Sequence, residues 1–497
     1  MANFLVTTAN TLQEGTSTAD LFYFNTARGV SVRGLDGNDT ITAGTASMTA
    51  VNMLLAGNGG NDTINLLSAL HVNQGSIYGG AGTDFISATN FSAVDTTIQG
   101  GGGNDTLDFN SAVFTRGNIG LNAGDDVFTA GVSAININSS LVALGGGADI
   151  FSAISASAVG ATINGGGGAD QIDIDGNGLV RGGQINGDVL GDNTFFGNDT
   201  IEINVNEIYS ATTINGGFGN DTISAVANNI GTSFINGNDG ADVIVVDGIS
   251  TGAVGGAAAS SFIGGGAGND TITVSVVSGN VGGLWGTLNG GGGNDTIIYS
   301  ALTDTNELAT AGATGGYIQG GAGADSISFN GGGSGAVATL LYTAASDSNI
   351  DSFDTVSSEA GSLQVSGAAL TLQTYNVFAV NTPESRESAA GEIGGNEVYT
   401  GVEGIVTFTS TFSDNLADQV SALDVNTNDG TVALFSKTGS TNTYLFMQGG
   451  SAGTADDLLV KVNTQASQSG ATKPARTTLD VITVQGNTAI TLGMAAN

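Results

Sequence analysis

The chain has 497 residues with 82 glycines, two prolines and no cysteine, and 40% of its residues are hydrophobic. Forty-five acidic residues against nine lysines and arginines give a formal charge of −36; such a surface repels phosphate, argues against nucleic acids and anionic membranes, and suits cations. Without cysteine, neither a disulfide framework nor a thiolate metal site is available, and no apolar run reaches the length of a membrane-spanning helix.

The N-terminal segment MANFLVTTANTLQEG lacks a basic region and a long apolar run, so a cleaved secretory signal is not evident and export is expected by another route. Residues 1–33 read as an N-terminal cap or an assembly strand. Within them, Gly15-Thr16-Ser17-Thr18-Ala19-Asp20-Leu21-Phe22 is a degenerate copy of the phrase that recurs from residue 34 onward. A solenoid end needs covering because an open β edge invites pairing, so this segment either closes the rod or presents an edge to the next subunit.

From residue 34 to 330 that phrase consists of glycines, often Asn-Asp, a small polar residue, then a large apolar one. Its clearest copy is Gly100-Gly101-Gly102-Gly103-Asn104-Asp105-Thr106-Leu107. The aspartates are Asp39, Asp62, Asp84, Asp105, Asp126, Asp149, Asp170, Asp199, Asp221, Asp242, Asp270, Asp295 and Asp325. Glycine stands two places before each, and Ile, Leu or Phe two places after. The step is 21–23 residues early in the array and up to 30 late in it, the spacing of a solenoid with insertions.

Each unit has two apolar patches. One follows the aspartate, as at Ile41, Leu107 and Ile201, and alternates with period two in Leu107-Asp108-Phe109; the other precedes the glycines, as at Ile77, Ile98 and Ile163. A turn of chain is therefore strand, variable loop, strand and glycine–aspartate loop. No proline occurs before Pro383, as a ladder that uses every N–H requires. Stacked turns lie ~4.8 Å apart, so the aspartates form a column. Bare carboxylates at that spacing repel by about 1 kcal/mol in water and about 3–4 at an effective dielectric of 20. Calcium resolves the conflict, because it takes six to eight oxygens from carboxylates and backbone carbonyls, whereas magnesium demands a stricter octahedron. Up to about twelve ions between neighbouring loops would bring the formal charge of −36 to about −12. Read as plain β-turns, the same loops would need no metal. Asp126 and Asp199 lack the leading glycine pair and are the weakest sites.

Residues 331–497 carry most of the glutamates and the remaining bases. Ser346 to Val356, SDSNIDSFDTV, reads as the closing turn. Strand-like segments continue at Ser362–Val365, Thr371–Val380, Ile405–Phe412, Thr431–Ser436, Thr443–Met447, Leu458–Val462 and Ile482–Val484. They indicate a C-terminal β domain, sandwich-like in build.

The repeated phrase resembles the RTX calcium-binding repeat, Gly-Gly-x-Gly-x-Asp-x-apolar-x, and residues 100–108, 165–173, 216–224, 265–273, 290–298 and 320–328 match it closely. The resemblance implies an all-β fold, a parallel β-roll or β-helix. It implies Ca2+ on the thirteen aspartates and on the carbonyls of the preceding glycines, Gly37, Gly60, Gly82, Gly103, Gly168, Gly219, Gly268, Gly293 and Gly323. Family repeats run as consecutive nine-residue units with calcium on both edges. Here one motif per turn places the calcium-binding loops on one edge, a sparse arrangement that resembles bacterial surface-layer and surface-filament proteins. Asn442 to Val462 resembles a C-terminal β module of such proteins. The resemblance also implies type I secretion through a C-terminal signal, and folding outside the cell where calcium is abundant.

Little conventional catalytic chemistry is present. The one histidine, His71, excludes a HExxH site and leaves a His-based triad a single candidate. Gly449-Gly450-Ser451-Ala452-Gly453 matches GxSxG without a strand-to-helix context, and Trp285 reads as packing. The expectation is therefore a non-enzymatic extracellular protein that self-assembles into a surface layer or filament. Its partners would be itself, the type I secretion machinery and a cell-surface polysaccharide, with no nucleic acid. A phage tail fibre, an adhesin or ice-binding module, and a secreted enzyme with its catalytic domain at the C-terminus are the alternatives.

Overall fold

A computed structural model describes residues 2–367 and 389–493. It excludes residues 8–9, 25–28, 44–48, 67–69, 132–134, 155, 189–195, 249–260, 277–285, 302–313, 331–336, 343–346, 350, 361, 394–395, 403–404, 409–411, 414, 427–431, 438–441, 448–456, 464–481 and 486–488. Trp285, Gly449–Gly453 and Thr371–Val380 lie outside the described residues. The chain forms two compact units, Met1–Ile249 and Ser250–Asn497.

The first unit is a parallel β-solenoid. A representative turn runs Thr106–Asn110, Val113–Thr115 and Asn118–Ala123. Each strand pairs in parallel with its equivalents one turn before and one turn after. Period-two alternation puts every second side chain inside. The strand after the aspartate stacks Ile41, Ile64, Ile86, Leu107, Phe128, Phe151, Ile172, Ile201, Ile223 and Ile244 in register. The strand before the glycines stacks Leu55, Ile77, Ile98, Ile119, Val142, Ile163, Ile185, Ile214 and Ile235. All of these side chains are buried.

Volume is balanced along the stack. Phe109 pairs in register with the small Ala88, and its ring lies 5.2–5.7 Å from those of Phe91, Phe114 and Phe128. The expected result of Phe109→Ala is a loss of about 3–5 kcal/mol in calcium, from the missing ring and the cavity it leaves. Thermal melting checks this, and a cost under about 1 kcal/mol would mean the stack collapses around the gap.

Parallel pairing already begins at Asn3–Val6, Leu12–Glu14 and Leu21–Phe24. The degenerate repeat at residues 15–22 thus forms a turn of the solenoid.

The second unit continues the same design. Ile272, Ile297, Ile327 and Val356 stack in register, as do Ile263, Leu288, Ile318 and Leu340. The stack then meets strands of another kind. Leu458–Asn463 pairs in parallel with Asp354–Ala360 and antiparallel with Thr443–Met447, and Ala489–Gly493 pairs antiparallel with Ser362–Gly367.

The sequence pattern indicates only strands in this region, but Leu416–Asn426 is an α-helix. Asn415 caps it, its Oδ1 accepting the Ala417 N–H at 3.0 Å. Val420 and Leu423 pack on Val406, Phe408, Phe435, Phe446 and Leu459. The cap, with Leu416, Val420 and Leu423 at helical spacing behind it, is the local signal for this helix amid β-rich neighbours.

Candidate metal centre

The glycine–aspartate loop starts from backbone geometry. Counting the aspartate as the sixth residue, the fourth is glycine in every repeat of the array. At Gly60 φ is +114°, and a Cβ would lie 2.2 Å from the Gly37 carbonyl of the previous turn. Only glycine accepts both conditions. The carbonyls of Gly37, Gly60, Gly82 and Gly103 each point along the stack at the equivalent glycine one turn on, and those of Gly168, Gly219, Gly268 and Gly293 do likewise.

The turn delivers the aspartate to the interior. All thirteen repeat aspartates are buried, at 2% exposure or less. Asp20 and Asp354 belong to the same series and are buried too. In the first unit each aspartate from Asp20 to Asp221 donates its backbone N–H to Oδ1 of the next, at 2.6–2.9 Å, up to the carboxylate of Asp242. In the second unit Asp270, Asp295 and Asp325 donate in the same way, at 2.8–2.9 Å, to Asp295, Asp325 and Asp354. One carboxylate oxygen per turn is thereby satisfied.

The other oxygen is not. Oδ2 of Asp39, Asp62, Asp84, Asp105, Asp126, Asp149, Asp170, Asp199, Asp221, Asp295, Asp325 and Asp354 is buried with no hydrogen-bond donor. Leaving a charged oxygen in that condition costs several kcal/mol. It lies over the first glycine of the loop. A Cβ on Gly34, Gly57, Gly79, Gly165, Gly187, Gly216 or Gly290 would sit 2.0–2.5 Å from the aspartate Oδ2 and 2.4–2.8 Å from the carbonyl oxygen of the first glycine one turn on. Two oxygens from adjacent turns therefore converge there. Sequence reasoning assigns carbonyls only from the fourth position. The recurrent glycine five residues before the aspartate is the signal in the sequence for this second set.

Asp20 is the contrast. Its Oδ2 accepts the Thr16 N–H at 2.6 Å and the Thr16 hydroxyl at 2.8 Å. Burial pushes its pKa up, but these bonds and the Ala2 N–H outweigh it and hold the carboxyl below the usual range. Elsewhere burial dominates and the N–H from the preceding aspartate only partly offsets it. Asp62, Asp105, Asp170 and Asp295 are pushed up to about 7, and Asp199, Asp221 and Asp354 to about 8.

The two turns that lack the leading glycine pair differ from each other. Ahead of Asp199, residues 189–195 interrupt the motif, yet Gly187 takes the first-glycine place against Asp199 Oδ2. Asp126 has Leu121 five residues before it, and Asp149 has Leu144 at the same place, both fully buried.

The asparagine before the aspartate has its own task. Oδ1 of Asn38, Asn61, Asn104, Asn198, Asn220, Asn269 and Asn294 accepts the N–H of the equivalent residue one turn on, at 2.7–3.1 Å, and Asp125 substitutes for asparagine in one turn. A second side-chain ladder thus runs along the outside of the loops.

Among the described residues no three His, Cys, Asp or Glu side chains converge. Any cation on this ladder is therefore held by one or two carboxylates together with carbonyls. Unsatisfied carboxylate oxygens facing carbonyls in a dry loop suit a hard cation that accepts many oxygens. His71 is exposed on its strand, His71–Asn73.

Gly100→Ala isolates the cradle. Its Cβ would lie 2.5 Å from Asp105 Oδ2 and 2.9 Å from Asp105 Cβ. A destabilisation of about 1–3 kcal/mol is expected from overpacking, with weaker calcium binding at that turn. Unchanged melting and titration would show that the carboxylate does not need the space.

The family model described as the RTX calcium-binding nonapeptide repeat (4 copies) matches residues 31–46, 76–91, 95–111, 211–227 and 287–305. No curated protein matches the chain. The matched segments fall on the glycine–aspartate loops and the strands beside them, and their description names calcium as the ion. The chain carries copies of the RTX calcium-binding repeat on a parallel β-solenoid.

Proposed function

We propose that this protein is an extracellular structural protein that self-assembles into a surface layer or filament, with calcium on the thirteen repeat aspartates driving folding and assembly. The observation that carries the reading is the ladder itself. Its buried Oδ2 atoms recur turn after turn without donors, which commits the greater part of the chain to cation-dependent architecture. Up to about twelve ions, with carbonyls from the loop glycines, are the corresponding load.

The outermost strands support assembly. Among the described residues, Asn3–Val6 and Leu12–Glu14 pair on one side only. Leu5 is 63% and Leu12 52% exposed. Such an edge favours addition of another chain. The acidic surface fits a cation-rich exterior, and the family resemblance favours type I secretion and a cell-surface polysaccharide as anchor. Among the described residues no helix is long and apolar enough to cross a membrane.

Negative-stain electron microscopy of the purified chain, calcium-free and in millimolar calcium, tests the reading. Sheets or filaments only in calcium are expected. Folded monomers at high concentration in calcium would overturn the assembly part and redirect the search to a ligand of the C-terminal domain.

A further inference from the structure

The first turn carries the aspartate of the repeat but not its loop. Residues 15–20 read Gly-Thr-Ser-Thr-Ala-Asp, with threonine at the second and fourth positions of the motif. In the next two turns both positions are left-handed. They are Leu35 and Gly37, with φ of +78° and +111°, and then Asn58 and Gly60, with φ of +77° and +114°. Thr16 and Thr18 do not take up that conformation, which a β-branched residue adopts only under strain. The loop before Asp20 therefore closes in another way.

The cradle is kept while its chemistry changes. A Cβ on Gly15 would lie 2.8 Å from Asp20 Oδ2 and 2.4 Å from the Gly34 carbonyl oxygen, the equivalents of the two oxygens that converge on Gly34 and Gly57 in the following turns. There the aspartate oxygen has no donor. Here Oδ2 accepts the Thr16 N–H at 2.6 Å and the Thr16 hydroxyl at 2.8 Å, and the Thr18 N–H holds that hydroxyl oxygen at 3.3 Å. Oδ1 accepts the Ala2 N–H at 2.7 Å. Donors present their positive ends to the carboxylate, so they answer its charge and repel a cation from the same place. One turn further out stands Ala2. Its carbonyl accepts the Leu21 N–H as that of Asp20 accepts the Thr40 N–H, both at 2.8 Å, so Ala2 holds the aspartate's place and brings no carboxylate.

We propose that the first turn is a calcium-free cap, in which the Thr16 N–H and hydroxyl stand where the repeats hold an ion, and that the calcium column begins one turn later, at Asp39. A copy that adds to the edge Asn3–Val6 then meets a turn without a bound ion, so a contact between copies at that edge shares no calcium. The competing account is that calcium draws residues 15–20 into the conformation of the other loops, and that Asp20 binds an ion like the rest. The proposal rests on the calcium reading of the repeat aspartates.

Native mass spectrometry of the full chain at graded calcium counts ions as discrete mass steps and separates the two accounts. Asp20→Asn and Asp105→Asn are compared with wild type, together with the double variant Thr16→Gly/Thr18→Gly, which restores glycine at both left-handed positions. At saturation Asp20→Asn is expected to keep the wild-type count, Asp105→Asn to hold one ion fewer, and the double variant to hold one ion more. One ion fewer in Asp20→Asn would overturn the proposal, and so would a double variant that gains none, since the loop would then not be what excludes the ion. Absence of calcium from every chain, wild type included, would overturn the ladder reading as well, and is distinguishable because all four chains then behave alike.

Discussion

Removal of calcium is expected to unfold most of the chain. The ion-free ladder keeps an unsatisfied buried oxygen on aspartate after aspartate, among them Asp62, Asp105, Asp170 and Asp221. Each unpaired buried charge costs several kcal/mol, against a total domain stability of about 5–15 kcal/mol. A handful of such oxygens therefore exceeds what the aliphatic stacks can hold. Circular dichroism of dialysed, metal-free protein at pH 8 should show little β-structure, and millimolar calcium should restore it with a large rise in melting temperature. Asp105→Asn should weaken the response without abolishing it, since the neighbouring turns keep their carboxylates. Full β-structure in metal-free protein at pH 8, with no change on adding calcium, would sink the metal role of the repeat aspartates.

Acid is expected to substitute partly for calcium. A carboxyl that folds into a site where burial raises its pKa binds its proton more tightly in the native state than in the unfolded chain. Its contribution to the metal-free fold is complete below the ordinary carboxylate pKa of about 4. It is lost as pH rises through the folded values, about 6 for Asp149 and Asp325, about 7 for Asp62 and Asp170, and about 8 for Asp199 and Asp221. Metal-free protein should thus melt at higher temperature at pH 5 than at pH 8. In calcium the sign reverses, because the ion competes with the proton for the same carboxylate and binds better as the proton leaves. Melting temperature followed from pH 5 to pH 9, with and without calcium, should give curves of opposite slope that converge at the acid end. Parallel curves would show that the ladder carboxyls do not titrate in that window.

Both expectations concern residues that can be found by reading the sequence alone. A fixed step of about one solenoid turn, an aspartate at each step and Ile, Leu or Phe two places on determine which residues stack, because stacking equivalent residues is the way a repeat of this length buries a continuous apolar face. Ile64, Leu107 and Ile172 are legible as core for that reason, and so is the aspartate column. The strand Thr443–Met447 is legible from its β-branched and aromatic residues.

The use of each oxygen was decided only by the tertiary structure. Which carboxylate oxygen takes the N–H of the previous aspartate, and which is left over the first glycine, depends on rise and register between turns, and no single repeat contains that information. The asparagine ladder is invisible for the same reason, since Asn61 works on Thr83 one turn away. Gly187 serves Asp199 across an insertion that local motif matching cannot bridge. Asp188 reads as one more acid in an acidic chain until the fold buries it at 1% exposure, with its Oδ2 on the Phe218 N–H one turn on. Composition and period determined the solenoid and its ion; packing between turns decided which atoms can meet that ion, because hydrogen bonds and burial are settled between neighbouring turns and not within one.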